Sequence, residues 1–198
     1  MKNIVLASKS IDRRKILKRA RIPFDVLITN VDEDEFKKED LNPIELVKRL
    51  ANAKVLKAKE SLAQINKDAI IIAADTIVEL NNEIIGKANN EEQAFRILKK
   101  LTGKTHNLIT GIAVTETYNP KIILSYDSTS VKFLDLTDKE IWGYIKTGEW
   151  QGRAGAYSIR EKASLFIESI QGSSSNVIGL PMNKLYQILK DEFNQILF

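Results

Sequence analysis

The chain has 198 residues, of which 43% are hydrophobic and 28% charged, a composition typical of a soluble globular protein that can bury a sizeable core. It has no cysteine, which excludes disulfides and thiolate metal sites, and no apolar run approaches the roughly 18 residues of a membrane span. The net charge of +4 is mild, whereas non-specific nucleic-acid binders usually carry far more positive charge. We therefore expect a cytoplasmic protein that acts on a small anionic substrate, with neither a membrane nor a nucleic acid polymer as partner.

The first third of the chain alternates strand and helix signals. Residues 4–7 are apolar and predict a strand, after which Ser10 can cap a helix that runs to about residue 20. Residues 24–28 predict a second strand, and the acidic segment 32–40 predicts a loop of uncertain order. Asn42, Pro43 and Glu45 then form a strong helix start, and apolar residues keep helical spacing to about residue 63. The pattern places Lys54 and the other basic residues of this helix on its solvent face.

The rest of the chain predicts long β segments between capped helices. Residues 70–80 and 84–85 flank Asn81 and Asn82, which tolerate the positive φ of a tight hairpin turn. The further predicted elements are a helix from Asn90 to about residue 101, β segments over 107–117 and 121–134, a short helix capped by Thr137, a strand over 165–169 and a helix after Pro181. This pattern predicts the α/β class, and its long hairpin segments argue against a purely parallel sheet.

One carboxylate stands directly after the most apolar run of the chain. Asp75 follows residues 69–74, whose length and isoleucine content are typical of a buried strand. A buried carboxylate without a partner is strongly unfavourable, so a bound metal or a basic side chain should meet it. The alternative is a carboxylate that caps the turn after its strand.

A second group of residues is suited to phosphate. Ser8, Ser10 and Arg13 supply two hydroxyls, a guanidinium and the backbone N–H groups of a helix start, all of which favour phosphate oxygens. The alternative is simple capping by Ser10 with Arg13 in solvent. Lys87, after Gly86, could approach the same site, although a surface lysine is the default interpretation.

Glu33 and His106 carry weaker signals. Glu33 lies in an acidic run that is usually just solvated, but it is able to supply a second metal-facing carboxylate. His106 is the single histidine of a chain without cysteine, so neither a zinc site nor a Ser-His pair is supported. We therefore interpret His106 as structural.

Taken together, these segments resemble the Maf family of nucleoside triphosphate pyrophosphatases, whose members include septum-formation proteins. The resemblance extends over nearly the whole chain, and the order and spacing of its motifs are specific. The matching stretches are Leu6-Ala7-Ser8-Lys9-Ser10 with Arg13, Ala74-Asp75-Thr76-Ile77-Val78, Gly86-Lys87, Leu101-Thr102-Gly103-Lys104-Thr105-His106 with Thr110-Gly111, Ala154-Gly155-Ala156-Tyr157, and Asn176-Val177-Ile178-Gly179-Leu180-Pro181.

The resemblance implies a fold, an activity and a set of site residues. The fold is a single Maf-like domain over 1–198, with an elongated mixed β-sheet flanked by helices and two lobes around a central cleft. The activity is hydrolysis of a nucleoside triphosphate to the monophosphate and pyrophosphate, and it depends on Mg²⁺ or Mn²⁺. Its implied role is the clearance of unwanted nucleotides, and the protein is often a homodimer. Asp75 matches the family's catalytic aspartate, as proton acceptor or, with Glu33, as metal ligand. The other matching positions of the cleft are Ser8, Ser10, Arg13, Lys54 and Lys87.

The chain departs from the family pattern at three places. Ile11-Asp12 stands for the usual Pro-Arg, so that an acid replaces an arginine. Gly152-Arg153 stands for Asp-Lys, which loses a carboxylate and keeps a cation. Arg160-Glu161 stands for Gln-Gly. Since position 12 changes from a basic to an acidic residue and position 160 from a neutral to a basic one, we expect Asp12 and Arg160 to pair across the cleft.

The substrate base stays open. The positions of Asp12, Thr76 and Arg160 are associated with base choice in the family, and the dTTP/UTP branch has Arg, Thr and Gln there, so only Thr76 matches. The branch acting on 7-methyl-GTP is no closer. Two rivals remain at this point: a nucleotide-binding regulator of cell division with little turnover, and an enzyme of the related inosine-triphosphate pyrophosphatase type.

Overall fold

The structure, a computed structural model, describes residues 2–37 and 39–197 as a mixed β-sheet flanked by helices. The strands are β1 (Ile4–Ala7), β2 (Asp25–Leu27), β3 (Ile70–Leu80), β4 (Glu83–Ile85), β5 (Thr105–Glu116), β6 (Ile122–Phe133) and β7 (Ile167–Gln171). The helices are α1 (Ile11–Arg19), α2 (Glu33–Lys37), α3 (Pro43–Gln64), α4 (Glu91–Leu101), α5 (Asp138–Ile145), α6 (Ser174–Val177) and α7 (Met182–Phe193), with a 3₁₀ turn over Lys162–Leu165. Within these two ranges, no helix is both long and apolar enough to cross a membrane.

The sheet is mixed, as predicted from the hairpin segments. Its order is β2-β1-β3-β5-β6-β7, and β4 pairs with β3 off this path. β1 runs parallel to both β2 and β3, whereas the pairs β3–β4, β3–β5, β5–β6 and β6–β7 are antiparallel. This confirms the α/β class with a mixed sheet.

The predicted helix starts are confirmed by their capping bonds. Ser10 Oγ accepts a hydrogen bond from the Arg13 amide at the start of α1, and Asn42 Oδ1 accepts one from the Glu45 amide at the start of α3. Thr137 and Glu140 form a reciprocal capping box at α5. Each bond satisfies an amide that has no carbonyl partner inside its own helix, which fixes where the helix begins.

The acidic segment 32–40 differs from its prediction. It was expected to form a loop, but Glu33–Lys37 form the short helix α2. Phe36 is half-buried and α2 packs against α3, so tertiary contact supports a helix that the acidic sequence does not suggest. Lys38, within the predicted loop, lies outside the described residues.

Two of the hydrophobic cores meet along β3. On this strand, the alternating residues Ile70, Ile72 and Ala74 belong to the core under α1 and α7, while Val78 and Leu80 belong to the core under α4 and α5. The strand therefore passes from one core into the other. Asp75 and Thr76 lie at the passage.

Gly111 lets α3 approach the sheet beside this passage. It is the register partner of Asp75 on β5, and a Cβ added to it would lie 2.3 Å from the Val47 carbonyl oxygen of α3. A side chain there would collide with the helix backbone rather than with a flexible side chain. The glycine therefore fixes the close packing of α3 on the sheet, opposite the predicted catalytic carboxylate.

His106 lies inside the second core, in agreement with its structural interpretation. It is 1% exposed, its Nε2 is 2.9 Å from the Tyr157 hydroxyl, and its ring meets Phe133 and Tyr157 edge to face. Burial lowers the pKa of His106 from 6.5 to about 4, outweighing the opposite influence of the Lys104 carbonyl. The ring is therefore neutral at pH 7 in the folded protein.

This burial predicts acid sensitivity of the fold. Between pH 6.5 and 4 the unfolded chain binds a proton at His106 that the folded protein does not, so stability falls as the pH falls through this window. The full effect is about 3 kcal/mol, reached below pH 4. Urea unfolding of the wild type and of His106→Gln at several pH values measures it, because the variant lacks this titration. Unfolding free energies that run parallel in the two proteins would contradict the prediction.

Candidate active site

Residues from several helices, strands and loops line a cleft of about 1110 Å³. The sequence-predicted site residues come from α1, α2, α3, β3 and the segments after β1, β4 and α5. All of them line this cleft: Ser8, Ser10, Asp12, Arg13, Glu33, Lys54, Asp75, Thr76, Lys87, Arg153 and Arg160. The fold thus brings the whole predicted set to one cavity.

Asp75 meets a basic side chain. Asp75 is 7% exposed, and Lys54 Nζ donates a hydrogen bond of 2.5 Å to Asp75 Oδ1. The same Nζ lies 2.7 Å from Glu33 Oε1, so one ammonium stands between two carboxylates. Asp75 Oδ2 accepts no hydrogen bond from any side chain in the described ranges. The carboxylate is therefore held at one oxygen while the other is left for a ligand or a water.

The burial of Lys54 corrects the helical-face prediction. Its position on α3 was expected to be solvated, yet Lys54 is 9% exposed. The close packing of α3 against β3 and β5 at Gly111 turns this part of the helix onto the strand that carries Asp75. A charged residue inside the apolar face of a helix is buried here because its charge is paired.

Arg13 is a buried cation with neutral acceptors. It is 9% exposed, and its Nε donates to the Gly179 carbonyl at 2.6 Å. Its Nη1 donates to Ser8 Oγ at 3.2 Å and its Nη2 to Thr76 Oγ1 at 3.0 Å. The alternative that placed Arg13 in solvent is wrong.

None of the carboxylates that the structure describes forms a direct ion pair with Arg13. Burial lowers the pKa of its guanidinium, and the fields of Asp75, Glu33 and Asp12 oppose this shift without coming within ion-pair distance. A desolvated cation bound to neutral acceptors attracts an anion strongly. This is the environment that a phosphate group would complete.

The turn before α7 depends on Gly179. Its φ of +105° is a conformation that side chains rarely adopt, and a Cβ there would lie 3.2 Å from Thr76 Oγ1 and 3.5 Å from Arg13 Nε. The glycine therefore lets its own carbonyl reach Arg13. Its role was not predicted beyond a backbone turn, because the partner of that carbonyl lies 166 residues away.

Ser8 and Ser10 act first on the protein itself. Ser8 Oγ accepts from both the Ser10 amide and Arg13, and Ser10 Oγ caps α1. Ile11 and Asp12 follow in the first turn of α1 and line the cleft, and amides of a first turn have no carbonyl partner within their helix. The hydroxyls therefore shape the helix start, and its amides offer donors for an anion.

Asp12 pairs with a different arginine from the one predicted. Its Oδ2 lies 3.2 Å from Arg153 Nε, and Arg153 also approaches Glu161 and donates to the Glu149 carbonyl. No ion pair joins Asp12 to Arg160, so the predicted pairing is wrong in its partner. Arg153, rather than Arg160, is the partner of Asp12, because these further contacts hold the Arg153 side chain between Asp12 and Glu161.

Arg160 and Lys87 keep donor groups for a ligand. Two nitrogens of Arg160, Nε and Nη1, are buried without a hydrogen-bond partner in the described part of the chain. Burial and the nearby Arg19 lower the pKa of Arg160, while Asp12 and Glu161 oppose the shift. Lys87 is exposed at the cleft, where its backbone forms an isolated bridge with Ala154, and none of the described carboxylates lies within ion-pair distance of its ammonium.

The described residues contain no cluster of three or more His, Asp and Glu side chains that could hold a metal ion. Two carboxylates, from Asp75 and Glu33, do share one partner in the cleft. A metal at this place would take its other ligands from water and from a bound substrate. Such mixed coordination is what Mg²⁺ typically accepts.

Comparison with known proteins supports the resemblance found in the sequence. The model of the family described as "Maf-like protein" matches residues 3–192. A protein of Caldanaerobacter subterraneus subsp. tengcongensis, named dTTP/UTP pyrophosphatase, is 44% identical over 96% of this chain and 89% of its own length. A protein of Alkaliphilus metalliredigens with the same name is 42% identical over 98% of both chains. Among solved structures, a HAM1 protein from Coxiella burnetii has 16% identity and a TM-score of 0.39, over 67% of this chain and 73% of that chain, too low to support an argument.

Proposed function

The chain belongs to the Maf-like protein family, and we propose that its cleft hydrolyses nucleoside triphosphates to the monophosphate and pyrophosphate. The observation that carries this proposal is Asp75, a buried carboxylate held by Lys54 on the wall of a cleft that also contains the buried cation Arg13. The relatives of this chain are named pyrophosphatases, and its site residues are those that such a reaction needs.

Asp75 acts as the proton acceptor in this proposal. Lys54 fixes Oδ1, so that Oδ2 is left to accept a proton from the attacking water. The position of Asp75 in the middle of β3 holds the carboxylate on a rigid strand rather than on a loop. Attack of that water at the α-phosphorus releases pyrophosphate as the leaving group.

Cationic groups at the cleft stabilise the charge that gathers on the phosphates. Arg13 is fixed by three neutral acceptors, so its charge is oriented before the substrate binds. Lys87 and the orphaned nitrogens of Arg160 supply further donors along the cleft. Preorganised donors of this kind stabilise a transition state without reorganisation at the moment of reaction.

The residues present fit Mg²⁺ or Mn²⁺. Asp75 and Glu33 would hold the ion, since Lys54 brings their two carboxylates together at the cleft. When bound, the ion would neutralise phosphate charge and polarise a phosphoryl oxygen. Lys54 itself stays bonded to Asp75 Oδ1 and Glu33 Oε1 in this proposal.

The cleft departs from the family pattern at Asp12, whose carboxylate lies in an ion pair. Asp12 replaces an arginine, and Arg153 neutralises it. Because the named relatives are dTTP/UTP pyrophosphatases, dTTP and UTP are the first substrates to test. The homodimer and the lack of nucleic acid binding stay predictions.

A panel of nucleoside triphosphates with Mg²⁺ or Mn²⁺ tests the proposal. The panel contains dTTP, UTP, the other standard triphosphates and modified ones, each scored for pyrophosphate against orthophosphate. We expect pyrophosphate as the first product. Orthophosphate first would show γ-phosphate cleavage and contradict the mechanism, and tight binding without turnover across the panel would favour the nucleotide-binding regulator instead.

A further inference from the structure

We propose that Thr110 is a positioning residue that orients Arg13 through the hydroxyl of Thr76. Thr110 lies on β5, is fully buried, and does not itself line the cleft. The inference rests on the proposed function, because it assigns Arg13 to the triphosphate. It adds a residue whose role is to hold that arginine in place.

A chain of hydrogen bonds joins Arg13 to the interior of the sheet. Arg13 Nη2 donates to Thr76 Oγ1 at 3.0 Å, and Thr76 Oγ1 lies 2.9 Å from Thr110 Oγ1. Thr110 Oγ1 in turn donates to the Asn176 carbonyl at 3.3 Å. These bonds connect α1, β3, β5 and α6, which are separate in the sequence.

The groups at the two ends of this hydrogen-bond chain determine which hydroxyl donates and which accepts. A guanidinium only donates, so the Thr76 oxygen accepts from Arg13. A carbonyl only accepts, so the Thr110 hydroxyl donates its single proton to the Asn176 carbonyl. The Thr76 proton is then donated to Thr110. Each hydroxyl is polarised by the next, which strengthens the acceptor that faces Arg13.

The far end of the chain is rigid. Asn176 is fully buried, and its side-chain amide donates to the Leu108 carbonyl and to Thr129 Oγ1, both at 3.0 Å. The chain of bonds therefore runs from a fixed anchor to the catalytic cleft. Arg13 itself has one further protein acceptor on each of its other nitrogens, so loss of the Thr76 acceptor would free one arm of its fork.

Removal of the Thr110 hydroxyl would disturb these hydrogen bonds while keeping the shape of the side chain. In Thr110→Val the Thr76 proton loses its acceptor, and the hydroxyl is able to turn its proton towards Arg13, where it repels the guanidinium. We expect kcat/KM for the best substrate to fall about tenfold, the equivalent of one hydrogen bond. Thr110→Ser keeps the hydroxyl and should restore most of the activity.

A double-mutant cycle with Arg13→Lys separates positioning from general damage. If Thr110 acts through Arg13, then Thr110→Val should change kcat/KM less than about twofold in the Arg13→Lys background. Thr115→Val is the matched control, because it removes another buried hydroxyl of β5, bonded to the Lys121 carbonyl and remote from the cleft. It should keep wild-type kinetics. Thermal unfolding of each variant shows that it is folded.

Three outcomes would overturn the inference: Thr110→Val with wild-type kinetics, Thr110→Ser no better than Thr110→Val, or equal losses in both Arg13 backgrounds. Affinity for α,β-methylene-dTTP, measured by calorimetry over the same four proteins, repeats the cycle where turnover is too slow to measure. A wild type that binds this analogue and releases no pyrophosphate from any triphosphate would refute the proposed function. The binding cycle would then still decide whether Thr110 acts through Arg13.

Discussion

Asp75→Asn should lower the rate of pyrophosphate release by about 10²–10⁴-fold, because the amide cannot take the proton of the attacking water. The substitution keeps the size of the side chain and its oxygen acceptor, so Lys54 retains a hydrogen bond as well as its ion pair with Glu33. We therefore expect a folded protein with little change in its thermal unfolding. Steady-state release of pyrophosphate from the best substrate of the panel measures the effect.

Glu83→Gln is the control for this loss. Glu83 is an exposed carboxylate on β4 that pairs with Lys100 and does not line the cleft. Its neutralisation should leave kcat and KM unchanged. An Asp75→Asn enzyme that keeps more than a tenth of the wild-type rate would exclude Asp75 as proton acceptor, and the proposed mechanism would lose its central group.

Local signals were sufficient for most of the fold. Capping residues fixed the starts of α1, α3 and α5, because the capping bond joins residues only three apart in the sequence. The apolar run before Asp75 predicted β3, and the Asn81-Asn82 turn predicted β4, because these signals also lie within a few neighbouring residues. The α2 helix was missed, since its support comes from packing on α3 rather than from its own residues.

The site residues could be collected from motifs, but their contacts could not. The partner of the Arg13 Nε group lies 166 residues away, and Asp12 finds Arg153 across 141 residues. Charge reasoning correctly required a neutralising partner for Asp12 but chose the wrong arginine, because it considered only the newly gained charge of Arg160 and not Arg153, where the family pattern already has a cation. Thr110 gave one local signal, a polar residue in an apolar strand, which cannot by itself identify the groups that it bonds.

The burial of Lys54 has the same origin. Its charge suggested a solvated side chain, but Lys54 lies four residues from both Leu50 and Ala58 of the buried face, and the close approach of α3 at Gly111 brings it onto Asp75. Its charge is thus held inside the protein by tertiary packing and by two carboxylates. This arrangement predicts that removal of Lys54 lowers the stability of the fold.

Lys54→Met should cost about 3 kcal/mol of unfolding free energy, because it leaves two neighbouring carboxylates without their shared cation. The value lies at the lower end for broken buried pairs, since Glu33 is about one-third exposed and water can solvate part of its charge. Pyrophosphate release should fall as well, since Asp75 loses the contact that orients it. Urea unfolding at pH 7 gives the stability, and Lys57→Met, an exposed lysine of the same helix, should change it by less than about 0.5 kcal/mol.

The double variant Lys54→Met/Asp75→Asn separates stability from function at this site. Removal of the Asp75 charge eliminates the repulsion that Lys54→Met creates, so the double variant should be more stable than Lys54→Met although it remains inactive. Opposite responses of stability and activity are expected where charges are kept together for chemistry rather than for the fold. If the second substitution instead adds to the loss of stability, the pair between Lys54 and Asp75 does not carry the interaction that the structure indicates.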